Sequence, residues 1–354
     1  MTTAFAQIPR NDIGWGIGGR APALRFSAIS FVKVGILQFF SWPERRVPLP
    51  TVYERALQRI EIMDQTGYDA VWLTEHHFND YSVCPSIPVM GAYAAARTKR
   101  LRIGAGVTLA AFYHPLRLAE EIALLDILSG GRVNWGAGRG FDAREFGVFG
   151  IATVEESRAR FREAVDIVVS AWLNDRVTYR GQYFTFEDIE VLPKPLQRPH
   201  PPMWVAAGSS EALEWAAAAG YSVLIGPHAT HQEVGEQHQF YRGRLAAHGH
   251  SSVGRDLPVA LLLAIAKSDA EAKEVARQGA QWLLKTYVDP KVIGAKGDPV
   301  QRYVDSVIVH GSPERVIDEL TRLREQSQLN YIIGAPLSHA TFEGFTEKVL
   351  PKLL

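Results

Sequence analysis

Three short stretches carry residue types suited to chemistry. Glu75, His76 and His77 are consecutive. An imidazole titrates near neutral pH, so it can take or give a proton in a reaction. Successive side chains on extended backbone point to opposite faces, so His76 and His77 cannot readily ligate one metal ion, and no metal site is expected. One of the pair should be packed and hydrogen-bonded, the other should face a pocket. Gly138-Arg139-Gly140 frames a guanidinium with two glycines, and its fork of donors suits a phosphate. Gly208-Ser209-Ser210 reads as a strand-to-helix turn: Gly208 lets backbone approach a ligand, and the serine amides head a helix, where anions are favoured. Together the last two stretches suggest one phosphorylated ligand. Phe39, Phe78, Phe112, Trp135 and Phe141 supply aromatic material nearby, of which two or three should line a pocket. Cys84 is the only cysteine. It permits neither an intramolecular disulfide nor a multi-cysteine metal site, reads as a packing residue rather than a nucleophile, and fits a reducing cytoplasm.

The elements that must position these residues alternate along the chain. The chain has 354 residues, is 47% hydrophobic and balances 38 basic against 38 acidic side chains. That composition is globular, and its neutrality speaks against a nucleic-acid partner or a polybasic membrane contact. Apolar runs such as Val259 to Ala266 are far shorter than the roughly 20 residues a membrane span needs. From residue 33 onward, short apolar runs near 33–37, 69–73, 101–109, 133–137, 203–207, 222–225, 257–266 and 331–334 read as strands. Segments of helical period follow each one. Val52, Ala56, Ile60 and Met63 recur at helical spacing, for instance, and Thr51 to Glu54 reads as a capping box. Eight strand–helix units imply a parallel sheet and suit a (β/α)8 TIM barrel with insertions; a doubly wound open sheet is the alternative. The insertions fall near 174–202, with a hairpin turning at Gly181, and near 285–312. Residues 1–32 form an amino-terminal extension without the charged start and unbroken apolar core of a signal peptide. Its Gly14 to Gly19 stretch matches G-x-G-x-x-G only formally, because no strand precedes it. Active sites of such barrels gather at the carboxyl ends of the strands, where all three stretches fall.

At these residues the chain resembles the bacterial luciferase-like flavin monooxygenases. The resemblance is carried by residues 67–78 (through Thr74-Glu75-His76-His77-Phe78), His114-Pro115, Leu125-Asp126, Gly130-Gly131-Arg132, Gly138-Arg139-Gly140-Phe141, residues 202–209 and Glu214-Trp215-Ala216. It covers roughly residues 33–354. It implies a luciferase-like TIM barrel that uses reduced FMN as co-substrate, supplied by a separate flavin reductase. It also implies that a flavin hydroperoxide formed with molecular oxygen oxygenates a small organic substrate. His76 matches the family's pocket histidine, implicated in acid–base work, while Glu75 and His77 are expected to orient it or brace the barrel. Arg139, flanked by Gly138 and Gly140, matches the arginine near the flavin phosphate, and Ser209 the serine of the phosphate-binding turn. Gly208 stands where the luciferase catalytic subunit has a glutamate, leaving its backbone amide to serve. Gly106-Val107 matches a non-proline cis peptide beneath the flavin ring. The 285–312 loop is shorter than its luciferase counterpart, and luciferase has a cysteine at the place of Gly138. Light emission and a long-chain aldehyde substrate are therefore not expected, although the loop can still act as a lid. The aromatic residues hint at an apolar substrate. The resemblance also implies a homodimer through 86–98, where Gly91, Ala92, Ala94, Ala95 and Ala96 allow close helix approach; the alternative for these small residues is packing against the barrel. The alternatives are a deazaflavin-dependent oxidoreductase on the same barrel, whose members more often carry Asp-His after the second strand, and a flavin-binding relative without catalysis.

Overall fold

A computed structural model describes residues 32–288 and 297–354. Residues 1–31 of the amino-terminal extension and residues 289–296 of the expected lid, with Gly294, lie outside the described residues.

The strands follow in chain order as β1 (Lys33–Gln38), β2 (Ala70–Leu73), β3 (Arg102–Ala105), β4 (Thr108–Leu109) and β5 (Val133–Gly138). Next come β6 (Arg176–Arg180) and β7 (Thr185–Glu190), then β8 (Met203–Ala206), β9 (Ser222–Leu224), β10 (Pro258–Ile265), β11 (Val309–Gly311) and β12 (Tyr331–Pro336). Parallel pairing runs β10–β12–β1–β2–β3–β5–β8–β9. A parallel bridge from Ile225, just past β9, to Val259 closes the ring. These eight strands are the eight expected from sequence, wound once in chain order. Their burial explains why they read as unbroken apolar runs: β2, β5 and β10 are buried at every position, as strands covered on both faces must be. The expected hairpin is β6–β7, antiparallel.

The barrel interior is filled. Trp72 packs edge-on against Trp204 at 5.3 Å and Tyr331 at 5.8 Å, and its indole N–H donates to the Tyr331 hydroxyl at 3.1 Å. Gly104 makes room for that indole, since a Cβ there would lie 2.6 Å from Trp72 Cδ2. These side chains fill the barrel interior, as in barrels whose ligands sit at the carboxyl ends of the strands.

The surrounding helices include α1 (Leu49–Gln65), α2 (Ile87–Arg97), α3 (Pro115–Leu128), α4 (Ala143–Val148), α5 (Val154–Leu173), α6 (Ser210–Ala218), α7 (His231–Ala247), α8 (Asp269–Thr286), α9 (Pro299–Arg302) and α10 (Pro313–Ser327). Four local expectations need correction. First, Thr51 does not cap α1: the helix starts at Leu49 with no side-chain cap, because Pro50, within its first turn, has no N–H to satisfy and a preset φ. Second, the strand expected over 101–109 breaks into β3 and β4 at the Gly106–Val107 peptide, which is cis, as the resemblance implied. Third, the carboxyl part of the 285–312 segment is not loop: it holds α9, a π-helical turn at Tyr303–Val307 and β11, which extends the sheet beside β10. Fourth, Gly91, Ala94 and Ala95 of α2 face inward and are buried. A Cβ on Gly91 would meet Leu125 of α3 at 2.9 Å, so these small residues serve the packing of α2 on the barrel. The outward faces of α2 and α3 instead expose Val89, Tyr93, Leu124, Ile127 and Leu128.

Among the described residues no helix is long and apolar enough to cross a membrane. Cys84 is buried, and burial pushes its thiol up to about 12, so it stays protonated and unreactive at neutral pH.

Candidate active site

The segments leaving β1 to β5 build one end of the barrel. Gln38 is the last residue of β1, level with Leu73 of β2. Thr108, just past the cis peptide, is level with Ala137 of β5. Both side chains are buried, and each holds an oxygen, Gln38 Oε1 and Thr108 Oγ1, without a hydrogen-bond partner among the described residues. Buried polar atoms almost always have partners, and these two orphans lie at the same barrel rim. Val107 lies between them in sequence. The glycines of β5 give it room: a Cβ on Gly138 would lie 2.4 Å from Val107 Cγ2, and a Cβ on Gly136 would lie 3.2 Å from Val107 Cγ1. Gly106 is equally tight, its Cβ position 2.8 Å from Leu37 Cδ1.

Arg139 follows β5. Its Nη1 is buried without a partner among the described residues. Burial, and then the like charge of Arg158, pull its pKa down, while Glu155 and Glu211 pull less strongly the other way. Arg158 and Arg162 are themselves paired with Glu211 at 3.0 Å each. A half-buried cation facing a second cation with a free donor calls for an anion. Glu211 belongs to the first turn of α6, whose N-cap is Ser209; the Ser209 hydroxyl accepts from the Ala212 N–H at 3.3 Å. That capping bond leaves the open turn at Gly208 clear: a Cβ there would meet only Gln237 Nε2, at 3.8 Å. The same Gln237 amide donates to the Gly208 carbonyl at 2.8 Å. Gly140 has φ +77°, a left-handed turn that glycine adopts without strain.

The two histidines divide as the alternation requires. His77 Nε2 is 3.2 Å from Glu75 Oε1, and its ring packs on Phe78, Phe112 and Phe149. Glu75 also accepts from the Tyr113 hydroxyl at 3.1 Å; burial raises its pKa, against the pull of His77 and Tyr113. His76 turns the other way and meets the stacked pair Tyr81 and Tyr287 edge-on, at 5.2 Å and 4.7 Å. The carboxylate beside His76 is therefore not Glu75, whose partners are His77 and Tyr113. It is Glu145, from α4, 1% exposed. Its Oε1 accepts the His77 backbone N–H at 2.8 Å and lies 3.4 Å from His76 Nδ1.

Tyr287 extends the wall, stacking on Tyr81 at 3.8 Å and meeting Phe141 at 4.8 Å. His228, three residues past the Ile225 bridge, follows at 6.2 Å, with its Nδ1 2.9 Å from the Tyr303 hydroxyl. Of the aromatic residues singled out in the sequence, Phe39 and Phe141 join this cluster through Tyr81 and Tyr287, and Phe78 and Phe112 join the His77 side. Trp135 instead is core, fully buried against Trp172. Gln38, Thr108, Glu145, His228, Tyr287 and Arg158 escaped the sequence reading. A polar residue ending a strand was an available signal for the first two. The others reach the site from separate elements with no local signature.

The lowered pKa of two histidines has a consequence for stability. Burial pushes His228 down to about 4, with His76 and Arg302 adding to the effect, and pushes His238 of α7 to about 4 as well. Their ordinary value is 6.5. Between these values the unfolded chain binds more protons than the folded one, so stability falls as pH drops from 6.5 toward 4. At pH 5 the loss relative to pH 7 should be about 2 kcal/mol per histidine. Denaturant titrations at the two pH values, on the wild type and on His238→Leu, check this; the variant should lose about 2 kcal/mol of the pH dependence. Equal wild-type stability at pH 5 and pH 7 would contradict it.

Residues 33–328 match the family described as luciferase-like monooxygenase, and the chain belongs to that family. Over 186 residues it is 33% identical to the oxygenase component of a flavin-dependent trigonelline monooxygenase from Acinetobacter baylyi, a match covering 52% of this chain and 51% of that protein. The first curated relatives are thus matched over about half their length. Among solved structures, the monooxygenase RslO1 from Streptomyces bottropensis superposes with TM-score 0.80 at 29% identity, covering 91% of this chain and all of that one. Two others share the fold alone. One is the oxygenating constituent of 3,6-diketocamphane monooxygenase from Pseudomonas putida in complex with FMN, with TM-score 0.75 and 20% identity over 91% of this chain and 99% of that one. The other is an F420-dependent secondary alcohol dehydrogenase, with TM-score 0.74 and 21% identity over the same shares of the two chains.

Proposed function

We propose that this protein is the oxygenase component of a two-component FMN-dependent monooxygenase, acting with molecular oxygen on a small apolar organic substrate and receiving reduced FMN from a separate flavin reductase. The observation that carries this reading is the set of buried, unpartnered polar atoms on Gln38, Thr108 and Arg139 at one end of the barrel. They fit a ligand with a polar ring edge and a phosphate. Arg139, with the backbone at Gly208 and Ser209, would hold the phosphate. Gln38 and Thr108 would meet the polar ring edge, and Val107 would lie against the ring face. Bound reduced flavin supplies the electrons that activate oxygen. The chain's own task is to keep water away and to manage a proton. Tyr81, Tyr287 and Phe141 form the apolar wall that excludes water, and His76, within that wall, takes and returns the proton. The family's oxygenases and the relative named as an oxygenase component support this reading over a deazaflavin enzyme.

The exposed apolar stripe of Val89 and Tyr93 on α2 and Leu124, Ile127 and Leu128 on α3 is the face by which two copies pair as a homodimer; a monomer by light scattering at micromolar concentration defeats that part. The lone buried Cys84 agrees with work in a reducing cytoplasm. The activity is tested by supplying enzymatically reduced FMN and 18O-labelled oxygen with a panel of apolar organic compounds. Product carrying one labelled oxygen atom is expected. Flavin reoxidation with no labelled product from any member of a broad panel would count against the reading.

A further inference from the structure

Two carboxylate–imidazole pairs stand side by side at the end of β2, and only one of them has an evident structural purpose. Glu75 is enclosed, bonded to His77 and Tyr113, and braces the barrel. Glu145 has a structural duty in the N–H of His77, but one acceptor atom suffices for it, and a neutral amide would do as well. The same Oε1 lies 3.4 Å from His76 Nδ1, which is buried and has no partner among the described residues. On one side the His76 ring rests against the stacked rings of Tyr81 and Tyr287.

We propose that Glu145 is the positioning residue for His76: its carboxylate keeps the ring proton on Nδ1, leaving Nε2, on the opposite edge of the ring, as the nitrogen that accepts and returns the proton. This rests on the proposed role of His76. Hydrogen bonds of catalytic groups are often long before ligand binds and tighten afterwards, so a 3.4 Å separation is the expected resting distance. The proton balance is simple. A proton taken up at Nε2 makes an imidazolium whose charge faces the Glu145 carboxylate; returning it restores the neutral ring with Nδ1–H unchanged.

The other groups around His76 do not compete for this role. Burial holds the Tyr81 and Tyr287 hydroxyls well above their usual range, so they stay neutral. His228, beyond Tyr287 and backed by Arg302, is held neutral to about 4. Asp142 is spent as the N-cap of α4, accepting from the Arg144 N–H at 2.8 Å. Glu75 is turned to the far side with His77.

Glu145→Gln separates the two duties, because its amide oxygen still accepts the His77 N–H while the negative charge is gone. The test is 15N NMR of the histidine rings of the ligand-free protein over pH 5 to 9, with the His76 signal assigned by its loss in His76→Gln. In the wild type the neutral His76 ring should carry its proton on Nδ1. In Glu145→Gln the neutral ring should become a mixture of tautomers. Glu145→Asp, which keeps the charge, should restore most of the wild-type tautomer preference, and this holds the proposal open to test even if the amide variant folds poorly. An unchanged His76 tautomer in Glu145→Gln overturns the proposal. The role of His76 itself fails in a different experiment, the turnover of His76→Ala, so the two failures are distinguishable.

Discussion

Replacing Arg139 with alanine should weaken the binding of reduced FMN by roughly 10- to 100-fold while leaving the binding of reduced riboflavin within about threefold of wild type. The two ligands differ only by the phosphate, so the difference between their losses isolates the contact in question. The magnitude follows from the surroundings of the guanidinium. Among the described residues its Nη1 is buried and unpartnered, and burial together with the like charge of Arg158 outweighs the pull of Glu155 and Glu211. A hydrogen bond to a charged group contributes about 1.5 to 3 kcal/mol, which is that range of affinity. Arg158 and Arg162 are already committed to Glu211 and cannot substitute fully. Flavin-fluorescence or absorbance titrations under anaerobic conditions measure both ligands. Equal losses for FMN and riboflavin would mean that Arg139 supports the fold of the site rather than the phosphate.

His76→Ala should show the opposite profile. Affinity for reduced FMN should stay within about threefold, because the phosphate and the polar ring edge are held by other residues, whereas product formed per reduced flavin should fall about 100-fold or more, the usual contribution of a positioned acid–base group. The lost ring leaves a hole beside the stacked Tyr81 and Tyr287, so some of the loss comes from admitted water. His76→Gln, which fills more of that space but cannot shuttle the proton, should remain as inactive as His76→Ala; recovery of product in the glutamine variant would show that filling space is the whole role. Product yield is followed by mass spectrometry with the substrate that the labelled-oxygen screen identifies. Wild-type yield in His76→Ala would remove His76 from the chemistry.

Much of the fold was legible because its signals are local. Strands buried on both faces must be apolar throughout, and helices laid on a barrel must repeat at 3.6 residues, so the eight barrel strands and α5 can be read from the chain itself. The opposite orientations of His76 and His77 follow from the alternation of extended backbone, which continues past the end of β2. What could not be read depends on contacts between distant segments. The inward face of Gly91 is set by Leu125 and Ile103, and no periodicity distinguishes a small residue that packs on the barrel from one that packs on a second chain. Glu145 approaches His76 only because α4 folds back over the end of β2, and Glu75, one residue away in sequence, is turned from it by the pleat. β11 is three residues long and has no pattern of its own; it is a strand because β10 offers it an edge.

The central claim is that the barrel end bounded by Gln38, Thr108 and Arg139 is a site for reduced FMN. It is tested most directly by anaerobic titration of the protein with reduced FMN, oxidised FMN and reduced F420, followed by rapid mixing with oxygen. The account predicts selective, saturable binding of reduced FMN, and a return of oxidised-flavin absorbance that is delayed relative to free flavin. Preference for the deazaflavin, or no flavin binding by a folded protein, would contradict it.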